Sequence, residues 1–180
     1  MDDLSRQPRQ ALILVEGPSD RIALETLAAR RGRDLAAEGL EVMSIGGAQA
    51  IARTLRGVSG IRIAGLYDVA EKSAVLRGLE RAGVGADGFF ACVPDLEGEL
   101  VRALGPERML ELVESRGQLS AFTTYRKQPA QRAKPLEAQL HGWLHNWKIR
   151  YAAPLVEALD LERVPEPLDR VLAYVGEPSA

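Results

Sequence analysis

The sequence predicts an α/β fold, a mainly parallel four-stranded sheet flanked by helices, with a helical C-terminal extension. Three observations carry this. In the first half, short apolar runs alternate with amphipathic stretches, the pattern of βα units around a parallel sheet. Past about residue 96 helical spacing continues without a convincing strand. At 180 residues the chain suits one compact domain with an appendage rather than two full domains.

Ala11 to Val15 (ALILV) is continuously apolar, as a strand covered on both faces should be, and ends at Glu16. Ile22, Ala23, Leu27 and Arg30 then keep helical spacing from Ser19 to about Arg31, with Ser19 as the expected N-cap and Gly32 as terminator. Leu40 to Ile45 reads as a second strand closed by Gly46-Gly47, and Ala48 to Arg56 as a short helix. A third strand runs from Ile61 to Tyr67 and ends at Asp68, a third helix from Ser73 to Ala82, and a fourth strand from Phe89 to Val93, before Pro94-Asp95. Helical patterns follow at 97–104, 107–116, 135–147 and 149–159. The polar, basic stretch from Gly117 to Arg132 is poorly periodic and reads as a mobile loop. The tail from Val164, with prolines at 165, 167 and 178, reads as loose, with a turn or two of helix over 168–175. This divides the chain into a flexible start (1–9), an α/β core (10–104) and a helical extension (105–180).

Hydrophobic residues make up 46% and charged residues 27%, which excludes wholesale disorder. No apolar run approaches the roughly 20 residues of a membrane span, and the start MDDLSRQPRQ lacks the apolar segment of a signal peptide, so a cytoplasmic protein is expected. The single cysteine, Cys92, lies in the apolar run FFACV and reads as a core thiol. A net charge of −2 argues against a protein that coats nucleic acid, but not against a nuclease whose clustered carboxylates are offset by bound cations.

The chemistry-bearing motif is LVEGPSD, residues 14–20. A buried strand delivers Glu16 to its end, Gly17 opens the turn, and Asp20 stands in the first turn of a helix whose free N–H groups suit a phosphate. Alone, Glu16 is a solvated strand end and Asp20 a helix-dipole residue. In series with IGG (45–47), LYD (66–68) and PDLE (94–97), the strand ends would gather Glu16, Asp68, Asp95 and Glu97 beyond the carboxyl edge of the sheet, where open α/β sheets bind ligands.

This series resembles the Toprim fold of topoisomerases, primases and OLD-family nucleases, over about residues 10–140, and VEGPSD with its downstream acids is closer to the OLD-type branch than to the topoisomerase branch. The resemblance implies a Toprim-like sheet and a metal-dependent phosphodiesterase or nuclease. Glu16 takes the place of the family's glutamate, a metal-linked acid or base; Asp20 that of the second acid; Asp68 that of the first aspartate of a D-x-D pair. Asp95 and Glu97 match the acids that help hold a second metal, and Lys134 a basic residue that neutralises phosphate charge, with Lys127 or Arg132 as alternatives. One or two Mg²⁺ or Mn²⁺ ions are implied, with nucleic acid, DNA before RNA, as substrate. OLD nucleases are usually fused to an ATPase; this chain has no G-x-x-x-x-G-K-[ST] loop, so a separate ATPase is an expected partner.

The sequence departs from the pattern at Asp68-Val69-Ala70, where the second aspartate is missing; Glu71, one place later, points elsewhere if strand geometry continues. A weakened or inactive module that binds nucleic acid or a partner protein is therefore the alternative, and a small-molecule phosphate enzyme a third reading. For backbone phosphates the candidates are Gly17, Gly46, Gly47 and the basic run with Arg126, Lys127 and Arg132, whose solvated-loop reading has equal weight. His141 and His145 are four apart but lack the H-E-x-x-H glutamate and sit with Trp143, Leu144 and Trp147, so they read as part of a packing helix. Arg30, Arg31 and Arg33 read as complements to the end of their own helix.

Overall fold

The computed structural model describes residues 9–176. The expected flexible start therefore falls, but for residue 9, outside the described residues, as does Pro178. Strands β1 (Ala11–Val15), β2 (Leu40–Ser44), β3 (Arg62–Asp68) and β4 (Phe89–Cys92) form one parallel sheet in the order β2-β1-β3-β4. Its crossovers carry α1 (Pro18–Arg30), α2 (Ile51–Thr54, after a 3₁₀ turn at Ala48–Ala50) and α3 (Lys72–Ala82). The connections leave β1 in one direction to β2 and then return past it to β3, so the chain reverses direction between β1 and β3. Such a switch point opens a crevice at the carboxyl edge.

β1 alternates between two cores, as a strand covered on both faces must. Ala11, Ile13 and Val15 join the larger core with α1 and the C-terminal helices; Leu12 and Leu14 join a smaller one with Ala48, Ile51, Val75 and Leu79. Gly65 of β3 is where backbones and a ring press closest: a Cβ there would lie 2.5 Å from the Phe89 ring and 2.8 Å from the Leu14 carbonyl oxygen.

The C-terminal half adds α4 (Leu96–Ser115), α5 (Leu119–Arg126), α6 (Pro129–Arg132), α7 (Leu136–Leu144), α8 (Lys148–Ala158) and α9 (Glu166–Gly176). The break expected between 104 and 107 is real: Gly105, at φ 75° and ψ 161°, interrupts α4 in a conformation essentially restricted to glycine. Other expectations need correction. The supposed mobile loop at 117–132 holds α5 and α6; periodicity missed them because each is short, and α5 buries only Phe122. The supposedly loose tail contains the three-turn α9, whose Leu168, Val171, Leu172 and Val175 pack in the main core. Pro165 and Pro167 stand at its start, where a proline's missing N–H costs nothing.

Helix α1 is capped at Gly17 with Pro18 in its first turn, so Ser19 is inside the helix rather than its N-cap. Nor do the arginines at its end serve α1 itself. Arg30 donates to the carbonyls of Val156 and Leu159 at the end of α8, both at 2.8 Å; Arg31 pairs with Asp169, and Arg33 with Glu38 and the Leu172 carbonyl. They fasten the C-terminal helices to the α/β half, which shares its larger core with them. Among the described residues no helix is long and apolar enough to cross a membrane. Cys92 is 1% exposed, a core thiol whose burial pushes its pKa up.

Candidate functional site

Glu16 follows β1 and Asp68 ends β3, so the two acids flank the switch-point crevice. Asp20 lies one turn into α1, and Asp95 and Glu97 begin α4 just past β4. These acids are within electrostatic reach of one another, because Glu16, Asp20 and Asp95 each raise the Asp68 pKa and Glu97 raises those of Glu16 and Asp20. The sheet thus gathers five carboxylates read from separate stretches of sequence.

Burial, then neighbouring negative charge, makes these acids reluctant to ionise. Asp68 is pushed from an ordinary 3.8 up to about 7, first by desolvation and then by Glu16, Asp95 and Asp20. Asp20 is pushed up to about 6 by desolvation, partly countered by the hydrogen bond it accepts from the Gly17 amide at 2.8 Å. That bond makes Asp20 a helix-capping residue as well as a member of the cluster. The Glu16 carboxyl is raised by desolvation and by Glu71, whose carboxyl also hydrogen-bonds it.

Glu71 therefore does not point away, as continuing strand geometry had implied. Val69–Glu71 is a 3₁₀ turn, and at three residues per turn position 71 comes back to the side of position 68. A carboxylate thus reaches Glu16 three residues after Asp68, at the edge of the cluster and outside the lining of the cleft.

The sequence reading missed the lysine of the site. Lys148, at the start of α8, donates to Glu97 Oε2 at 2.8 Å. Burial works to lower its pKa, but the hydrogen bond and charge of Glu97, with Asp95 and Asp68 behind it, outweigh that and raise it. Glu97 itself is 4% exposed, a buried charge held by this partner. Lys134, by contrast, is exposed and outside the cleft, using its carbonyl to accept from Gln139. The missed signal was a basic residue at a helix start within an aromatic-rich segment, HNWKIR, hidden by the reading of that segment as packing. His141 is also more than packing: its Nε2 lies 2.7 and 2.9 Å from the two Asp95 oxygens, while Asp95 caps α4 by accepting from the Gly98 amide at 2.8 Å.

A cleft of about 590 Å³ opens on this cluster. Glu16, Gly17, Asp20 and Asp68 form one side; the 145–150 segment, with Lys148 and Arg150, forms the other. The other proposed phosphate contacts lie outside its lining. Gly46 and Gly47 have positive φ (73° and 110°) and make the tight turn out of β2, hugging the end of β1 through the Gly46 amide bond to the Glu16 carbonyl. Gly17 is extended and donates its amide to Asp20. Arg126 is bonded to Gln139 and stacked on Phe122, Arg132 donates to the Lys127 carbonyl, and Lys127 is exposed.

Residues 10–68 match the family model of the overcoming lysogenization defect protein-like (OLD-like) Toprim domain. Over that segment the chain is similar to a Toprim domain of the OLD type. Solved structures extend the likeness in fold to almost the whole chain. The C-terminal region of the Burkholderia pseudomallei OLD protein is similar at a TM-score of 0.67 and 21% identity, over 96% of this chain and 98% of that one. The C-terminal region of the Xanthomonas campestris pv. campestris OLD protein is similar at 0.70 and 21%, over 93% and 92%. No curated protein is a significant match. The helical C-terminal part thus belongs to the same architecture as the Toprim sheet, and a domain of this type is nuclease-like in general.

Proposed function

We propose that this OLD-type Toprim domain is a divalent-metal-dependent nuclease acting on DNA, or on RNA, at the cleft beyond β1 and β3. The observation that carries the reading is the convergence of Glu16, Asp20, Asp68, Asp95 and Glu97 around one lysine, with Glu71 against Glu16. An all-oxygen donor set of this kind suits hard cations such as Mg²⁺ or Mn²⁺, and the raised Asp68 and Asp20 pKa values mark negative charge that a cation would offset. As arranged, among the described residues, no three such side chains enclose a metal position. Several oxygens are instead engaged by Lys148, His141 and the Gly17 amide.

Glu16, Asp20 and Asp68 would hold one cation, with Asp95 and Glu97 serving a second. Such cations, when bound, would supply water activation and charge stabilisation at the phosphodiester oxygens. The protein's own residues supply the rest. Glu16, its pKa raised and its carboxyl bonded to Glu71, is suited to hold or accept a proton at the reacting water. Lys148, cationic and facing the acids, is placed to neutralise phosphate charge, the role assigned by resemblance to Lys134. A nicking assay on supercoiled plasmid with Mg²⁺, Mn²⁺ or EDTA tests this. Metal-dependent nicking is expected in the wild type, lost in Glu16→Ala and reduced by at least about tenfold in Glu71→Ala, as for a partner that orients a ligand. Equal traces in wild type and Glu16→Ala would remove the nuclease reading and leave a module that binds without cutting. A separate ATPase partner belongs to this same proposal, by analogy of fold.

A further inference from the structure

The wall opposite the carboxylates, residues 145–150, has features that the acid chemistry does not use. Ile149 is 59% exposed, the most exposed large apolar side chain among the described residues, and it lines the cleft instead of packing. Arg150 also lines the cleft and is exposed, yet among the described residues it has no carboxylate partner in a region crowded with acids. Its guanidinium lies instead 5.6 Å from the centre of the Trp147 ring. A guanidinium stacked this way keeps its edge donors available for the fork geometry that fits a phosphate.

The wall is rigidly backed. Trp147 packs on Trp143 at 5.9 Å, and Trp143 in turn on Tyr125 and Phe122 at 5.5 and 5.7 Å. With Trp143 and Arg150 against it, Trp147 is a support and not itself a platform for a base. The apolar surface offered to a ligand is Ile149, beside a cation and across from the reacting acids. In a duplex the base faces are stacked away, so an aliphatic side chain reaches one only where the strand is unpaired or where it wedges the stack open.

We propose that the 145–150 segment is a binding subsite for an unpaired nucleotide next to the scissile phosphate. Ile149 packs on the base face and Arg150 holds the adjoining phosphate, so the cleft selects single-stranded or frayed ends over intact duplex. The proposal rests on the nuclease reading for the position of the scissile bond, and the two are tested separately. Fluorescence anisotropy in Ca²⁺ compares a labelled single-stranded oligonucleotide with the same strand annealed to its complement. Wild type is expected to bind the single strand at least about tenfold more tightly, and Ile149→Asp and Arg150→Ala each to weaken that binding by about tenfold, as for loss of one base contact. Both side chains are exposed, and thermal melting confirms that each variant is folded. Equal affinity for the two forms, or undiminished single-strand binding in both variants, overturns the subsite. Hydrolysis of bis(p-nitrophenyl) phosphate, a diester with no nucleotide to seat, is followed in wild type and Glu16→Ala. If neither hydrolyses it while the wall variants still lose single-strand binding, the nuclease reading fails and the subsite stands.

Discussion

Residue 148 decides how the site holds together without a cation. Glu97 is almost fully buried, and Lys148 is the partner that makes its charge tolerable there. Removing one member of a buried pair leaves an uncompensated charge, which costs more than the pair contributes. Lys148 remains 30% exposed, so water softens the effect. Lys148→Met is expected to destabilise the fold by roughly 2 kcal/mol, below the range for a fully buried pair, seen as a melting temperature lower by about 4–8 °C. Glu97→Gln added to it is expected to return part of that loss, because the orphaned charge goes with it. A single variant as stable as wild type would show that the pair does not support the fold. Glu16, Asp68 and Asp95 were legible because each follows an apolar strand run, and Asp20 and Glu97 because they stand within a few residues of such an acid. Lys148 was not, because no local pattern marks a residue whose partner lies 51 positions away. Glu71 was misjudged for a different reason, since its direction depends on a 3₁₀ turn that the sequence VAE does not announce.

At the scale of elements, the sheet was legible and the relation of the C-terminal helices to it was not. Strands buried on both faces leave continuous apolar runs, and all four appear within a residue or so of where their runs place them. The α5–α6 segment escaped, and α9 was read as only a turn or two over 168–175, because short helices with one buried stripe, or with prolines at their start, lack the length that makes periodicity persuasive. What positions α8, and with it Lys148 and the 145–150 wall, is its packing along α1 and the Arg30 bonds to its last turn. A charged donor to the terminal carbonyls satisfies groups that a helix end leaves open. Arg30→Met keeps the stem but removes both bonds, so a loss of about 2 kcal/mol is expected, with amide exchange accelerated most over residues 148–158. Faster exchange spread evenly over the whole chain would contradict this local role.

The whole molecule carries a conflict between stability and the charge its cleft concentrates. Asp68 and Asp20, at about 7 and about 6, have folded-state values above their ordinary 3.8, and Glu16 is raised as well. A carboxyl raised by folding favours the fold in its protonated form. Its contribution is therefore complete below the unfolded value and is lost as pH rises through the folded value, here between about pH 4 and about pH 7. The metal-free protein should accordingly lose melting temperature from about pH 4 to about pH 7, through the window in which these acids are forced to ionise together. Asp68→Asn removes the most perturbed of them, so it should melt higher than wild type at about pH 8 and approach it at about pH 5, while abolishing metal-dependent cleavage. Mg²⁺ or Mn²⁺ at the higher pH should raise the wild-type melting temperature, and the variant's less, because the cation binds the ionised cluster and stabilises the folded state by mass action. Sodium chloride at matched ionic strength separates binding from screening, since partly buried charges are screened far less than exposed ones. A variant that melts with wild type at every pH, or a metal response equal in the two proteins, would place the charge conflict somewhere other than Asp68.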